Sequence, residues 1–478
     1  PVQIVVLEQV GGTEDGAERS PQPSLKSGAQ PLRQQLRDLV NRGLLQFDRG
    51  TQRFDLHPIV RRYAYDHMTA PNRTVAHSQL RDYFAAVPEP ERVQTLEDLE
   101  TVIELYHHQV RAGQYDEAMA LYYERLWQKI YYQLGAYQVE IELLQSLFPH
   151  GEDQLPQLQS KQDQGWTLNA LANSYSLNGQ PTKAISLFEQ VAASDEQQED
   201  KKNLAIALEN LASMAQLPIG ALQAAEGNLH RAILLCQRIE DEFWEAVGYR
   251  ELGRLLAYQG AWAEAAAELN NALELFEQQG KIQSQGIVWA HSALTALLQV
   301  RAGESSAAST AFTAAARALE VADETARTQF PYERDYVRAH WLLGAAHRVN
   351  GHLPQSDTHL SDALTRCRTI NMVDYEASIL LALAQLRADQ NQSDEALLLA
   401  QDALVITERS SYRLQGADVQ LFLAQQALTQ GDKSQAIEQG RLARQLARCD
   451  GGEYTYKVAY DEAGALLQSL GQPPTEKP

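Results

Sequence analysis

A small residue set inside an apolar helical pattern returns along most of this 478-residue chain. Aligned on it, segments recur around Tyr106, Ala172, Ala212, Gly253, Ala296, Gly344, Ala384 and Ala424, with successive spacings of 66, 40, 41, 43, 48, 40 and 40. Self-similarity at a period of about 20–50 residues is the mark of stacked supersecondary units. The fourth segment is the clearest: Tyr249, Leu252, Gly253 and Leu256, then Gly260, Trp262, Ala265, Leu269 and Ala272. Within each helix the apolar period is near 3.6, as an amphipathic helix requires. Helix backbones approach closely only where side chains are small, and larger apolar neighbours fill the adjacent holes. Length alone fits either about three domains or one elongated array; the repeat favours the array.

These segments resemble the tetratricopeptide repeat, in which two antiparallel helices meet at small residues and a glycine-bearing turn joins them. The first carries Gly113, Gln114, Tyr115, Asp116, Glu117 and Ala118 at the turn; the second has Leu171, Ala172, Tyr175, Gly179 and Ala184. The seventh reads Leu383, Ala384, Asn391, Ala396 and Ala403, and the eighth Leu423, Ala424, Gly431, Ala436 and Ala443. Periods near 40 exceed the common repeat of about 34, which predicts longer helices or loops. The third segment needs extra residues, Leu217 to Ala224, with Pro218 and Gly220 among them. Polar stretches at 151–165 and 194–203, and a Pro331-bearing bridge at 322–333, predict exposed linkers. The resulting fold class is mostly α, a tetratricopeptide-repeat α-solenoid over 87–470 in about eight helix pairs.

The first 86 residues differ. Residues 11–31 are rich in Gly, Ser, Pro and charge, which predicts a flexible insertion, as does the tail at 471–478. A helix is predicted from Leu32 to Arg42, with Leu32, Leu36, Leu39 and Val40 on one face. Leu44 to Asp48 and Gln52 to Leu56 alternate like strands, and Arg49, Gly50 and Thr51 supply the turn. A second helix starts at Pro58, a good first-turn residue. Helix, hairpin, helix is the order of a small winged-helix (α+β) unit. The string from Leu39 to Leu45, leading into Phe54, Asp55, Leu56, His57, Pro58, Ile59, Val60 and Arg61, resembles the winged-helix domain of NB-ARC proteins. These belong to the STAND class of signal-transduction ATPases. The resemblance implies that His57 reads the β-phosphate of ADP at the family's MHD motif, with Leu56 and Pro58 replacing Met and Asp. Independently, a His at a helix start is placed to donate to phosphate where the helix dipole favours anions.

Charge excludes several functions. The net charge is -21, from 41 Lys+Arg and 62 Asp+Glu, with +2 in residues 1–86 and -23 in the remainder. A surface so acidic repels phosphate backbones, so no nucleic acid partner is expected. Neither a membrane-spanning run nor a signal peptide is present, so no membrane partner is expected. Cys236, Cys367 and Cys449 are too scattered for a disulfide framework or metal cluster, which predicts reducing cytoplasm. The histidines, including His107, His108, His340, His347, His352 and His359, lack the convergent ligands of zinc. No Gly-x-x-x-x-Gly-Lys-Ser/Thr loop and no Gly-x-Ser-x-Gly occurs. No enzyme activity and no cofactor is expected of these residues; the STAND resemblance implies ADP or ATP in a longer protein. The chain starts at Pro1 rather than Met, which predicts a fragment or processed product.

Stacked repeats make a concave surface from the first helix of each pair. Carrying over the repeat positions that face such grooves gives Trp166, Asn169 and Asn173, then Arg250, Arg254 and Tyr258, then Arg338, Trp341 and Arg348. Arginine with aromatic residues suits a carboxylate- or phosphate-bearing ligand, or a peptide; the alternative is that these arginines pair with neighbouring carboxylates. The leading expectation is the sensing region of a STAND ATPase, with a protein, peptide or small-molecule inducer in the groove and an oligomer formed on activation. The rival is a stand-alone repeat scaffold for protein–protein interaction.

Overall fold

The computed structural model describes residues 2–3, 29–49, 53–88 and 92–472. Most of the expected insertion (residues 11–28), Gly50 and Thr51 of the turn, and residues 473–478 of the tail lie outside this set. Contacts divide the chain into two units: residues 1–129 with 146–159, and residues 130–145 with 160–478.

In the first unit, strand β1 (Val2–Gln3) pairs antiparallel with β3 (Arg53–Leu56), which pairs antiparallel with β2 (Leu45–Asp48). Leu45 faces Leu56 and Phe47 faces Phe54 across the hairpin. Helices α1 (Ala29–Asn41) and α2 (Pro58–His67) flank it. Leu36, Leu45 and Phe54 are buried together, backed by Val40, Phe47 and Leu56, so the alternation read in the strands and the helical stripe converge on one small core. Helices α3 (Ala70–Ala85), α4 (Glu100–Arg111) and α5 (Tyr115–Leu121) follow. Tyr106 stands where later segments carry Ala or Gly; it is fully buried, with Tyr122 at 6.2 Å. Residues Tyr122–Leu126 and Gln128–Leu134 are π-helical, a widening that nothing in the apolar period announces.

The second unit takes over within the Gln128–Leu134 segment, at Ile130, and continues with α6 (Tyr137–Gln145) and then in pairs. These are α7 (Lys161–Leu177) with α8 (Pro181–Gln197), α9 (Lys201–Asn210) with α10 (Leu222–Ile239), and α11 (Glu242–Gln259) with α12 (Trp262–Gln278). Then come α13 (Ile282–Arg301) with α14 (Ala307–Thr328), α15 (Glu333–Val349) with α16 (Leu353–Thr369), and α17 (Val373–Asp389) with α18 (Ser393–Ser410). The last are α19 (Arg413–Thr429) with α20 (Lys433–Ala447), and α21 (Lys457–Ser469). This is the tetratricopeptide-like helical stack that the spacing predicted.

The aligned small residues from Ala172 to Ala424 are all buried. A Cβ on Gly253 would come within 2.7 Å of Leu269, and one on Gly344 within 2.6 Å of Leu360. In the α13–α14 pair the same closeness is reached with alanines, among them Ala293 and Ala296 against Ala311 and Ala315. Gly260 ends α11 in the left-handed region at φ 77°, where a side chain would strain the turn.

The expected linker at 194–203 is mostly helix instead. Helix α8 runs to Gln197 and α9 restarts at Lys201, because Asp200 caps it by accepting from the Asn203 amide at 3.1 Å. Polarity there marks solvated helix ends rather than a loop. Likewise α7 starts at Lys161 behind a Ser160 cap, and α14 runs to Thr328 within the expected bridge. The extra residues Leu217 to Ala224 follow a π-helical segment, Leu211–Gln216, and form a turn that leads into the first residues of α10.

Candidate functional site

The first helix of each pair forms the inner face of the second unit, since α9, α11, α13, α15, α17 and α19 each touch the next in that series. The inner faces also meet across the stack: α7 touches α17, and α11 touches α21. The nine residues assigned to one continuous groove therefore divide into a buried polar seam and outlying positions.

At the centre, Arg250 and Arg254 both pair with the buried Glu251, at 2.9 and 2.8 Å. Arg254 also donates to the Ser213 carbonyl at 2.8 Å. Arg338, 7% exposed, donates to the Tyr375 hydroxyl at 3.0 Å and pairs with Asp335 at 3.4 Å. Trp341 packs edge-on against Tyr375, with centroids 5.5 Å apart. Tyr258 meets Tyr456 the same way at 5.2 Å. Three of the named arginines and two aromatics thus share the inner face.

The others stand apart from that centre. Asn169 accepts from Asn210 at 3.1 Å, and Asn173 is half-buried with its Oδ1 cut off from solvent and without a hydrogen-bond partner. Trp166 is half-buried near the start of α7. Arg348 pairs with Asp389 at 3.1 Å toward the ends of α15 and α17.

Several central residues escaped the sequence reading. Arg334, on α15 with Arg338, lies over the Tyr131 ring at 5.4 Å. Asp374 and Tyr375 open α17, and His291 of α13 is 3% exposed. Arg301, at the end of α13, pairs with Asp418 of α19 at 2.9 Å and Glu462 of α21 at 2.7 Å, and donates to Tyr456 at 3.0 Å. The available signal was ionisable residues at apolar-period positions of first helices. Their convergence needed the tertiary path.

Burial governs the charges here. It pushes Asp374 up to about 7, against the pull of Arg334, Arg338 and Arg254. Burial likewise raises Glu209 well above, and lowers His291 well below, their ordinary values. Glu251 ends below the usual carboxylate range, because Arg254 and Arg250 outweigh its burial.

His57 caps α2: its Nδ1 accepts from the Ile59 amide at 3.3 Å, and the residue is exposed. With Nδ1 accepting, the neutral ring carries its proton on Nε2, which is a donor at a helix start. His340 and His359 meet through Nδ1 atoms 2.9 Å apart, with His347 stacked on His359 at 5.4 Å. Among the described residues, no group of three or more His, Cys, Asp or Glu is placed to hold a metal ion. All three cysteines are buried; burial raises the Cys236 thiol to about 12 and the Cys449 thiol to about 11, which keeps both unreactive. No helix among the described residues is long and apolar enough to cross a membrane.

A tetratricopeptide-repeat family model matches residues 167–202. No curated protein matches the chain. Among solved structures, it is similar to the STAND protein with a tetratricopeptide repeat sensor from Pyrococcus horikoshii, at 14% identity and a TM-score of 0.40. That match covers 93% of this chain and 60% of the other, so the chain spans less than two thirds of that protein. It is similar to the Rap protein complexed with Competence and Sporulation Factor at 14% identity, covering 78% and 97%, with a TM-score of 0.49. It is also similar to the human IFIT1 dimer with m7Gppp-AAAA at 15% identity, covering 82% and 85%, with a TM-score of 0.42. What those proteins bind belongs to them.

Proposed function

We propose that this chain is the sensing region of a STAND-type signal-transduction ATPase. The inner face of the repeat stack receives an inducer (small molecule, peptide or protein). The helix–hairpin–helix at the N-terminal end is a winged-helix unit that relays the event to a nucleotide-binding module of a longer protein. The observation that supports this most is the cluster of Arg250, Glu251, Arg254, Arg338 and Tyr375 on the inner face. A stack that served only as a spacer gains nothing from charges there, since a buried ion pair seldom stabilises more than an apolar one. His57 supplies the relay, its Nε2 donor held at the start of α2 by the Ile59 contact. The chain itself performs no catalysis and carries no cofactor; ADP or ATP belongs to the module it regulates. The cationic groups lie inside a chain of net charge -21, which suits a compact or extended anionic ligand better than a nucleic acid backbone.

Thermal melts of the chain against fractionated extract of its native cells test the sensing role. One fraction should raise the melting temperature of the wild type by several degrees and leave Arg254→Gln unmoved. If no fraction stabilises the wild type, the chain is a scaffold. In the longer protein, His57→Ala should shorten ADP retention about tenfold; unchanged retention would remove His57 from the relay.

A further inference from the structure

The inner face gathers more cationic groups than its ion pairs commit. Arg250 and Arg254 share one carboxylate, Glu251, and Arg338 takes Asp335. The Nη1 of Arg334 and the Nε of Arg254 are cut off from solvent and have no hydrogen-bond partner. His291, 3% exposed, sits among Glu251, Arg254, Arg338 and Arg250 with its Nδ1 unpartnered. Asp374 lies within reach of the charges of Arg334, Arg338 and Arg254, yet its Oδ1 also has no hydrogen-bond partner. Buried donors left without acceptors are costly, and two of these, on Arg254 and Arg334, belong to cations whose charge reaches Asp374.

We propose that Arg254, Arg334, Arg338 and His291 form a subsite for an oxyanion group of the sensed ligand, and that Asp374 takes up one proton as that group docks. This rests on reading the inner face as the sensing surface. Guanidinium N–H groups and a neutral imidazole N–H are donors that match carboxylate or phosphate oxygens. An ionised Asp374 would repel such a group, whereas its protonated carboxyl adds a donor to it. The groups that face Asp374 are Arg334 and Arg338 of α15, Arg254 of α11, Tyr137 of α6, Cys367 of α16 and Tyr412 before α19. Burial raises the last three, so they stay neutral, and the arginines stay charged. Asp374, at about 7, is the member of this set that changes charge near neutral pH. Beside Arg338 a narrow cleft, with room for about one water molecule, runs between α13, α14 and α15, bounded by Gln283, Ala290, Thr325 and Asp335.

Titration calorimetry of the chain with acetate and with sulfate, in buffers of different ionisation enthalpy at pH 6, 7 and 8, tests this. Sulfate is the tetrahedral probe, chosen because it does not itself titrate. At least one anion should bind with net proton uptake, its affinity falling toward tenfold per unit above about pH 7. Preference for acetate would indicate a carboxylate ligand, and for sulfate a phosphate-type ligand. Asp374→Asn should bind without proton uptake and with a flat pH profile, and a folded Arg334→Gln/Arg338→Gln variant should bind at least tenfold more weakly at pH 6. Absence of binding by both anions, or proton uptake that persists in Asp374→Asn, would overturn the subsite. If an extract fraction still stabilised the wild type in either case, the sensor reading would stand without it.

Discussion

The seams between paired helices and the seam along the inner face are built on opposite chemistry. The pair seams are apolar and steric: Gly253 against Leu269, Gly344 against Leu360, alanine layers between α13 and α14. Each is made by segments close in sequence, and geometry leaves no room for a larger side chain. The inner seam is ionic. It joins residues as distant as Arg301 and Glu462, and several polar atoms in it lack partners. Close packing defines each repeat, while the polar seam, together with an apolar cluster that joins Leu252 and Leu255 to Leu414, Tyr456 and Val458, ties repeats distant in sequence.

The largest expected effect is on the steric side. Gly344→Val places a Cβ within 2.6 Å of Leu360 and adds two methyls beyond it, so it should destabilise by about 3 kcal/mol. A chemical melt of the second unit would show this. A loss under about 0.5 kcal/mol would mean that the pair seams are not the constraint they are taken to be.

On the ionic side, Arg301→Ala leaves Asp418 and Glu462 without their cation. Since all three are partly solvated, the cost is about 2 kcal/mol, below that of a fully buried pair. Adding Asp418→Asn and Glu462→Gln should restore a good part of it, because the uncompensated charge is then gone. No recovery would show that the loss came from packing.

The comparison sharpens further with pH, because two regions titrate in opposite senses. In the first unit His77 and His108 meet through Nδ1 atoms 3.0 Å apart; burial lowers both, His108 to about 4. A base with a depressed folded value binds fewer protons folded than unfolded. Stability of that unit is therefore full above about 6.5 and falls as pH drops toward 4, by on the order of 2 kcal/mol. Asp374 is raised to about 7, so the folded second unit holds the extra proton. Its contribution is present at low pH and declines as pH rises from about 4 to 7, on the order of 2 kcal/mol. Hydrogen exchange at pH 5 and pH 8 should show the first unit loosening in acid. It should show the inner face loosening in base, the latter abolished by Asp374→Asn. Parallel responses in the two units would refute the contrast.

The smallest effect is predicted for Arg348→Ala. Its pair with Asp389 is part-exposed, at 21% and 43%, and its removal should cost under about 0.5 kcal/mol. The same substitution should leave anion binding by the inner face unchanged, which separates it from Arg338 on the same helix.

Much of the architecture was legible in the chain. The aligned small residues from Ala172 to Ala424 are all buried, Gly253 and Gly344 hard against the paired helix, and the alternation around Phe47 and Phe54 became a paired hairpin. Both are short-range patterns, in which the period directly reports which face is buried. Tyr106 departs from the small-residue rule, and the π-helical stretches at Tyr122–Leu126 and Gln128–Leu134 were invisible because they widen a helix without altering its composition. The linker at 194–203 misled because charge marks solvent exposure in helices and loops alike.

The site was legible only as parts. Arg250, Arg254, Tyr258, Arg338 and Trp341 could be assigned to the inner face from repeat position alone, since that position depends only on the helix each residue occupies. Arg348 satisfies the same rule but pairs with Asp389 toward the end of α17, and Trp166 is half-buried near the start of α7. Arg301, Arg334, His291 and Asp374 were passed over because no local pattern connects them. The sequence determined helix pairs, their small-residue crossings and a charged first-helix face, all properties set within about 40 residues. The tertiary structure decided which of those faces meet. Each repeat turns slightly against its neighbour, and only the accumulated rotation brings α11 against α21 and α7 against α17.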